Sequence, residues 1–212
     1  MIKPNMLRID CHVHTYPRSG CSTIAPDEAV AAAIAGKIDI MVLTEHDYIW
    51  PQNEIDALRS KHDGSQIRIF AGLEATCRNG HFLVFGLSDR KDIYIDMPAE
   101  TLIDIAHERD AAVVVAHPFR FSIEDGHYCY RLDVDGVEVM SSNTSASNQK
   151  LAEQLANDKN LMKFMASDAH TTSPIGHYFT EVPPHVKTVN DLARFIRGTK
   201  PHNTTSDRDL RA

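Results

Sequence analysis

Histidines and acids recur along this chain in five short patches. They are Asp10-Cys11-His12-Val13-His14-Thr15, Thr44-Glu45-His46-Asp47, Gly72-Leu73-Glu74 with His81, Ala116-His117-Pro118-Phe119-Arg120, and Ser167-Asp168-Ala169-His170. Imidazole and carboxylate together are the donors that borderline divalent metals prefer. His12 and His14 are two residues apart, so on a strand both rings leave the same face and one metal can take both. Glu74 carries two oxygens that can serve two cations, which makes it the natural bridge. His117 closes an apolar run, where an unpaired imidazole would be costly and ligation supplies a partner. Asp168 and His170 follow the last apolar run in the same manner. Any one patch alone reads equally well as a surface or capping group, but their shared placement points to a multinuclear metal site. His62, His107, His127, His185 and His202 lack this placement and read as solvated.

The elements that must position these residues are short runs of Val, Ile, Leu and Met, which nearly every patch directly follows. The pattern predicts strands at Leu7–Val13, Ile38–Leu43, Ile67–Leu73, His81–Leu87, Ala111–Ala116, Val134–Met140 and Leu161–Ala166. Helices are expected at Pro26–Ala35, Asn53–His62, Pro98–Arg109, Asn148–Asn157 and Val189–Arg197. Pro26-Asp27-Glu28 makes a good helix start, with proline in the first turn and acids facing the positive end of the helix dipole. Arg78-Asn79-Gly80 is a turn signal between Ile67–Leu73 and His81–Leu87. The alternation predicts an α/β fold of βαβ units with right-handed crossovers. Roughly seven strands fit, one short of the common eight-stranded barrel, in which strand ends bring distant residues to one point. The chain reads as a single domain over residues 1–212, with a loosely ordered polar tail over 198–212.

At 212 residues the chain is long enough for one domain with a substantial core. A net charge of −7 and the lack of any Lys/Arg run disfavour long nucleic acid as a partner. Bound metals would add local positive charge, so a small phosphorylated molecule suits the site. The four cysteines, Cys11, Cys21, Cys77 and Cys129, have no zinc-ribbon or redox spacing, and Cys11 reads as a packed core thiol. No apolar stretch follows Met1-Ile2-Lys3-Pro4-Asn5, and runs such as Ala111–Ala116 are too short to span a bilayer. A cytoplasmic protein with no membrane association is expected, of a size of assembly the sequence does not set.

Taken in order, Asp-x-His-x-His-Thr, Thr-Glu-His-Asp, Gly-x-Glu…His, Ala-His-Pro-Phe and Ser-Asp-Ala-His resemble the polymerase-and-histidinol-phosphatase (PHP) superfamily, from about Leu7 to Gly176. The resemblance implies a distorted seven-stranded β/α (TIM-like) barrel and a metal-dependent phosphoesterase. It implies that His12, His14, Glu74 and Asp168 hold a first metal, that Glu74, His81 and His117 hold a second, and that His46 and His170 belong to a third. Many relatives carry another acid or histidine after the first motif, where this chain has Arg18-Ser19-Gly20-Cys21-Ser22. Two firmly held divalent ions and a weak third are therefore expected, the last completed by a group such as Cys21 or by water. So many imidazoles favour Mn²⁺, Zn²⁺ or Fe²⁺ over Mg²⁺ or Ca²⁺.

Two such metals would acidify a bridging water into a nucleophile and neutralise phosphoryl charge. Arg120, three residues after His117, is placed to grip a phosphate through its planar fork, with a surface ion pair as the plainer reading. Arg18 is a second candidate for the same role. With the third site empty, His46 and His170 would bind phosphate or protonate the leaving oxygen, and Asp47 would orient one of them or act as the acid. The acidic balance tilts the substrate toward a small phosphomonoester. The alternatives are a phosphodiesterase or exonuclease on nucleotides or short oligonucleotides, an amidohydrolase-like hydrolase, and a non-enzymatic metal-binding domain.

Overall fold

The computed structural model describes residues 6–199. The polar tail lies outside the described residues except for Gly198 and Thr199, which complete the last helix. Along the chain run β1 (Leu7–Val13), α1 (Pro26–Ala35), β2 (Ile40–Leu43), α2 (Gln52–Ser60), β3 (Arg68–Ala71), β4 (Leu73–Cys77), β5 (Gly80–Phe85), α3 (Ala99–Glu108), β6 (Ala112–Ala116), α4 (Ile123–Tyr128), β7 (Gly136–Met140), α5 (Ala146–Asp158), β8 (Met162–Met165), β9 (Thr180–Val182) and α6 (Val189–Thr199). Local chemistry explains several helix starts. Pro26 opens α1, and Glu28 Oε2 accepts the Ala25 N–H. Ser122 and Ser145 cap α4 and α5 by accepting the N–H groups of Asp125 and Asn148.

The strands form two sheets, ordered β3-β2-β1-β9 and β4-β5-β6-β7-β8. Pairs β1–β2, β2–β3, β6–β7 and β7–β8 are parallel, as βαβ units require, whereas β5 runs antiparallel to both β4 and β6 and β9 antiparallel to β1. The expected closed ring of seven strands is not what the hydrogen bonding of the described residues shows. The run expected as one strand, Ile67–Leu73, divides at Gly72 into β3 of one sheet and β4 of the other. A Cβ at Gly72 would stand 3.0 Å from both Thr44 Cγ2 and Val42 Cγ1, so a larger residue here would have to push those side chains aside. The sheets meet through strand-end loops rather than ladders. Leu43 O accepts from Gly72 N, Glu45 O from Glu74 N, and Ala169 exchanges hydrogen bonds with His12 and His14.

The interior between the sheets is apolar: Ile9, Val42, Phe85, Val114 and Phe164 pack with Leu192 and Ile196 of α6. Helices α1 and α2 bury Val30, Ile55 and Leu58 against Leu43 and Ile69, and α3 and α5 bury Leu102, Ala106 and Leu155 against Val113 and Val137. Burying each such large side chain stabilises the fold by roughly 1.5–3 kcal/mol, which lets it carry a polar cluster at one end. Cys11 is fully buried, and burial pushes its thiol well above the ordinary range, consistent with a packed core residue. All four cysteines are free. Among the described residues no helix is long and apolar enough to cross a membrane.

Candidate metal centre

His12 lies in β1 and His14 one residue beyond it, both fully buried. Glu74 lies within β4 rather than after a strand, and its side chain is equally buried. Asp168 and His170 follow β8. The His12 Nε2 atom is 3.3 Å from Glu74 Oε2 and 3.5 Å from Asp168 Oδ1, and His14 Nε2 is 3.1 and 3.4 Å from the same two oxygens. None of these four buried atoms has a hydrogen-bond partner among the described residues. Four polar atoms turned toward one another without bonding would be costly unless something sits between them. Imidazole nitrogens and carboxylate oxygens 3.1–3.5 Å apart, all buried and all facing one point, are donors of the kind a borderline divalent cation takes. The donor set fits a divalent cation.

Glu74 faces a second imidazole group with its other oxygen. Its Oε1 is 2.9 Å from His81 Nδ1, on β5 across the Arg78–Asn79 turn, and 3.1 Å from His117 Nε2, just past β6. Its Oε2 also lies 3.0 Å from His46 Nδ1. One carboxylate thus stands between two donor groups, the arrangement a bridging ligand needs. A third group consists of His14, His46 and His170, with ring centroids 4.4 Å (His14–His46) and 4.5 Å (His14–His170) apart. The third member that sequence spacing could not supply is His14 itself. Cys21 is exposed and belongs to none of these groups.

The local charges are mutually dependent. Burial raises a carboxylate's pKa, yet Glu74 sits well below its usual range because His12, His117 and His14 crowd it. Burial also disfavours charge on His12, but Glu138, Asp168 and Glu74 reverse this and raise its pKa well above the ordinary value. His14 is raised by Asp168 and Glu74 in the same way. His170 is lowered, by burial and by His14 beside it. Nearby Asp10 is raised by burial to about 6, although the Ser167 N–H donates to it. Backbone strain accompanies the chemistry: His117, Asp168 and Asp47 have φ of 28°, 48° and 51°, unusual for residues other than glycine.

Arg120 reaches this cluster, donating from Nη1 to Asp168 Oδ2 at 2.8 Å. Asn143 Nδ2 donates to the same oxygen at 2.9 Å, which leaves Oδ1 for His12 and His14. Arg18 does not join it. Its guanidinium pairs with Glu54 at 3.0 Å and stacks over Tyr48 and Trp50, because α2 and the segment before it place an acid and two rings beside the first loop. Asp47 also departs from expectation: its Oδ1 accepts from the Thr76 N–H at 2.9 Å, pinning the loop to β4 instead of orienting an imidazole. His107 and His62, read as solvated, are partly buried and pair with Asp135 and Asp27.

Sequence reasoning misses Glu138, Asn143, Ser19 and the task of Glu45. Glu45 accepts from the Thr15 N–H, the hydroxyls of Thr15 and Ser19, and Trp50 Nε1, tying the first two loops together. Glu138 Oε1 lies 2.9 Å from His12 Nδ1. Its signal was available: a lone acid between Val137 and Val139 in a buried strand needs a polar partner. A cavity of about 200 Å³ opens beside the centre, walled by Arg78, His81, His117, Arg120, Phe121 and Asp125 among others.

Residues 146–200, which include Asp168 and His170, match the family model described as PHP-associated. No curated protein matches the chain in sequence. Among solved structures, a protein of Bifidobacterium adolescentis assigned as a metal-dependent phosphoesterase superposes with a TM-score of 0.61 at 15% identity, covering 94% of this chain and 98% of that one. The lesion-specific endonuclease EndoQ of Pyrococcus furiosus gives a TM-score of 0.67 at 16% identity over 91% of this chain, which spans only 56% of that protein. An amidohydrolase of Chromobacterium violaceum, solved with sulfate and without metal, gives 0.61 at 15% identity, covering 89% and 96% of the two chains. At such identities these likenesses speak for a shared fold alone.

Proposed function

We propose that the protein is a metal-dependent hydrolase of phosphoric esters, acting on a small phosphomonoester. The observation that carries this reading is the convergence of four buried, partnerless donor atoms from His12, His14, Glu74 and Asp168, with the second oxygen of Glu74 turned to His81 and His117. His12, His14, Glu74 and Asp168 would hold one divalent cation and Glu74, His81 and His117 another. His46 and His170, with His14, would hold a weaker third. Such cations, when bound, supply Lewis acidity toward phosphoryl oxygens and acidify water.

The chain's own residues supply the rest. Arg120 has five N–H donors and gives one to Asp168, so its fork can still bind a phosphoryl oxygen while it holds that carboxylate in place. The lowered pKa of His170 favours the neutral imidazole, the form suited to ligation more than to gripping phosphate by charge. The cavity beside His81, His117 and Arg120 has room for a small leaving group, and exposed Phe121 offers it an apolar edge. Together with the net charge of −7, this favours a small monoester over a long polyanion. Four free thiols suit a reducing, cytoplasmic setting.

The test is turnover of chromogenic mono- and diesters by the Mn²⁺-loaded protein. Monoester hydrolysis that is lost in His12→Ala and Asp168→Ala, with the fold intact by circular dichroism, is the expected result. Undiminished turnover in those variants would refute the assignment. Turnover of the diester alone would move the substrate to nucleotides or oligonucleotides, and hydrolysis of amides or lactones alone would replace the phosphoester reading.

A further inference from the structure

Glu138 is fully buried in β7, the one acid of the strand Gly-Val-Glu-Val-Met, and it touches no solvent. Its two oxygens go to two different places. Oε1 lies 2.9 Å from His12 Nδ1, and Oε2 accepts the His117 backbone N–H at 2.8 Å. These partners belong to the two donor groups that Glu74 joins from the opposite side. The carboxylate can only accept, so it requires a proton on His12 Nδ1 and reserves Nε2, the nitrogen aimed at Glu74 and Asp168, for whichever cation sits there, a proton or a metal. The bond to His117 N holds a residue whose φ of 28° is unfavourable for a side chain larger than glycine, and which precedes Pro118. That bond helps hold His117 in the unfavourable backbone from which its ring faces Glu74.

We infer that Glu138 is the positioning residue of the centre, setting the tautomer of His12 and the backbone of His117 so that one buried carboxylate preorganises both donor groups. The inference rests on the metal reading above for its consequence, but not for its geometry. Carboxylates behind ligating imidazoles raise metal affinity by orienting the ring and increasing its basicity. Here the same group also holds a backbone turn, which couples the two halves of the site. Removing one acceptor oxygen should therefore disturb both groups together.

The test compares wild type with Glu138→Gln and Glu138→Asp. The amide keeps the volume but presents one acceptor and one donor, and the shorter acid keeps the charge but reaches a single partner. In the metal-free wild-type protein, long-range ¹H–¹⁵N spectra should show a proton on His12 Nδ1, shifted downfield by its carboxylate acceptor. That signal should move or vanish in Glu138→Gln. Titration calorimetry with Zn²⁺ should show affinity falling about 10–100-fold in the variants, with melting of the metal-free forms reporting that they remain folded. Wild-type Zn²⁺ affinity in a folded Glu138→Gln protein, or a wild-type His12 protonated on Nε2 alone, would overturn the inference. If Glu138→Gln fails to fold, Glu138→Asp and the wild-type spectrum still decide it. Failure of wild type to bind Zn²⁺ at all would instead sink the metal reading, and the His12 signal would then judge the positioning role by itself.

Discussion

Glu74 is sealed from bulk solvent, and five imidazole nitrogens stand within 3.3 Å of its two oxygens. A buried carboxylate in such company is a design for holding positive charge, whether protons or a metal. At this scale the two candidate phosphate-binding arginines separate clearly. Arg120 is tied to Asp168 inside the cluster, while Arg18 is tied to Glu54 and stacked on Tyr48. Arg120→Ala should lower kcat/KM by about 10–100-fold, the equivalent of losing a charge-assisted hydrogen bond of roughly 1.5–3 kcal/mol. Arg120→Lys should recover the charge but not the fork, and show its loss mainly in KM. Arg18→Ala should leave kcat/KM near wild type and change stability by no more than about 0.5 kcal/mol, as exposed substitutions usually do. Steady-state kinetics on the monoester checks all three, and a large loss in Arg18→Ala would return that residue to the site.

Among the elements, the short loops beyond the parallel strands matter most, because they carry His14, His46, His117, Asp168 and His170. Helix α4 braces one of them. Gly126 packs directly on the ring of Phe119, and a Cβ there would fall 2.1 Å from Phe119 Cδ1. Phe119 is buried and has a φ of 70°, so the ring has little freedom to retreat. Gly126→Ala should therefore push the segment that carries His117 and Arg120, costing about 1–3 kcal/mol as overpacking does. Urea unfolding should show the loss, and activity should fall with it. Adding Phe119→Leu to Gly126→Ala should restore part of both, since residues in contact couple non-additively. Independent effects of the two changes would mean that the ring does not transmit the strain.

Across the whole molecule, strand ends of both sheets converge on the candidate metal centre, so its occupancy should be felt in global stability. A cation present at 100 times its dissociation constant stabilises the folded state by about 2.7 kcal/mol. For a domain of this size each kcal/mol is worth roughly 2–4 °C, so stripping the metal with a chelator should lower Tm by about 5–11 °C. Re-addition of Mn²⁺ or Zn²⁺ should restore it, and scanning calorimetry before and after chelation is the measurement. An unchanged Tm would mean that the centre holds no ion under those conditions.

The supply of potential metal ligands was legible in the chain because ligand chemistry is a property of residue type, and the alternation of apolar runs with His/acid patches survives without coordinates. Strand β1 and helix α1 were legible to the residue, since hydrophobic period and Pro26 define them locally. Other features depend on what comes close in space. The division at Gly72 answers to side chains of β2, the three-residue β9 is stabilised by its pairing with β1, and α4 is only six residues long. The same holds within the site. Whether Arg18 or Arg120 faces Asp168, whether Asp47 meets an imidazole or a backbone amide, and which acid stands behind His12 are contacts between residues 29 to 126 positions apart. Sequence determines which groups could bind a metal; only the packing of strands, through distances no local pattern encodes, decides which of them meet.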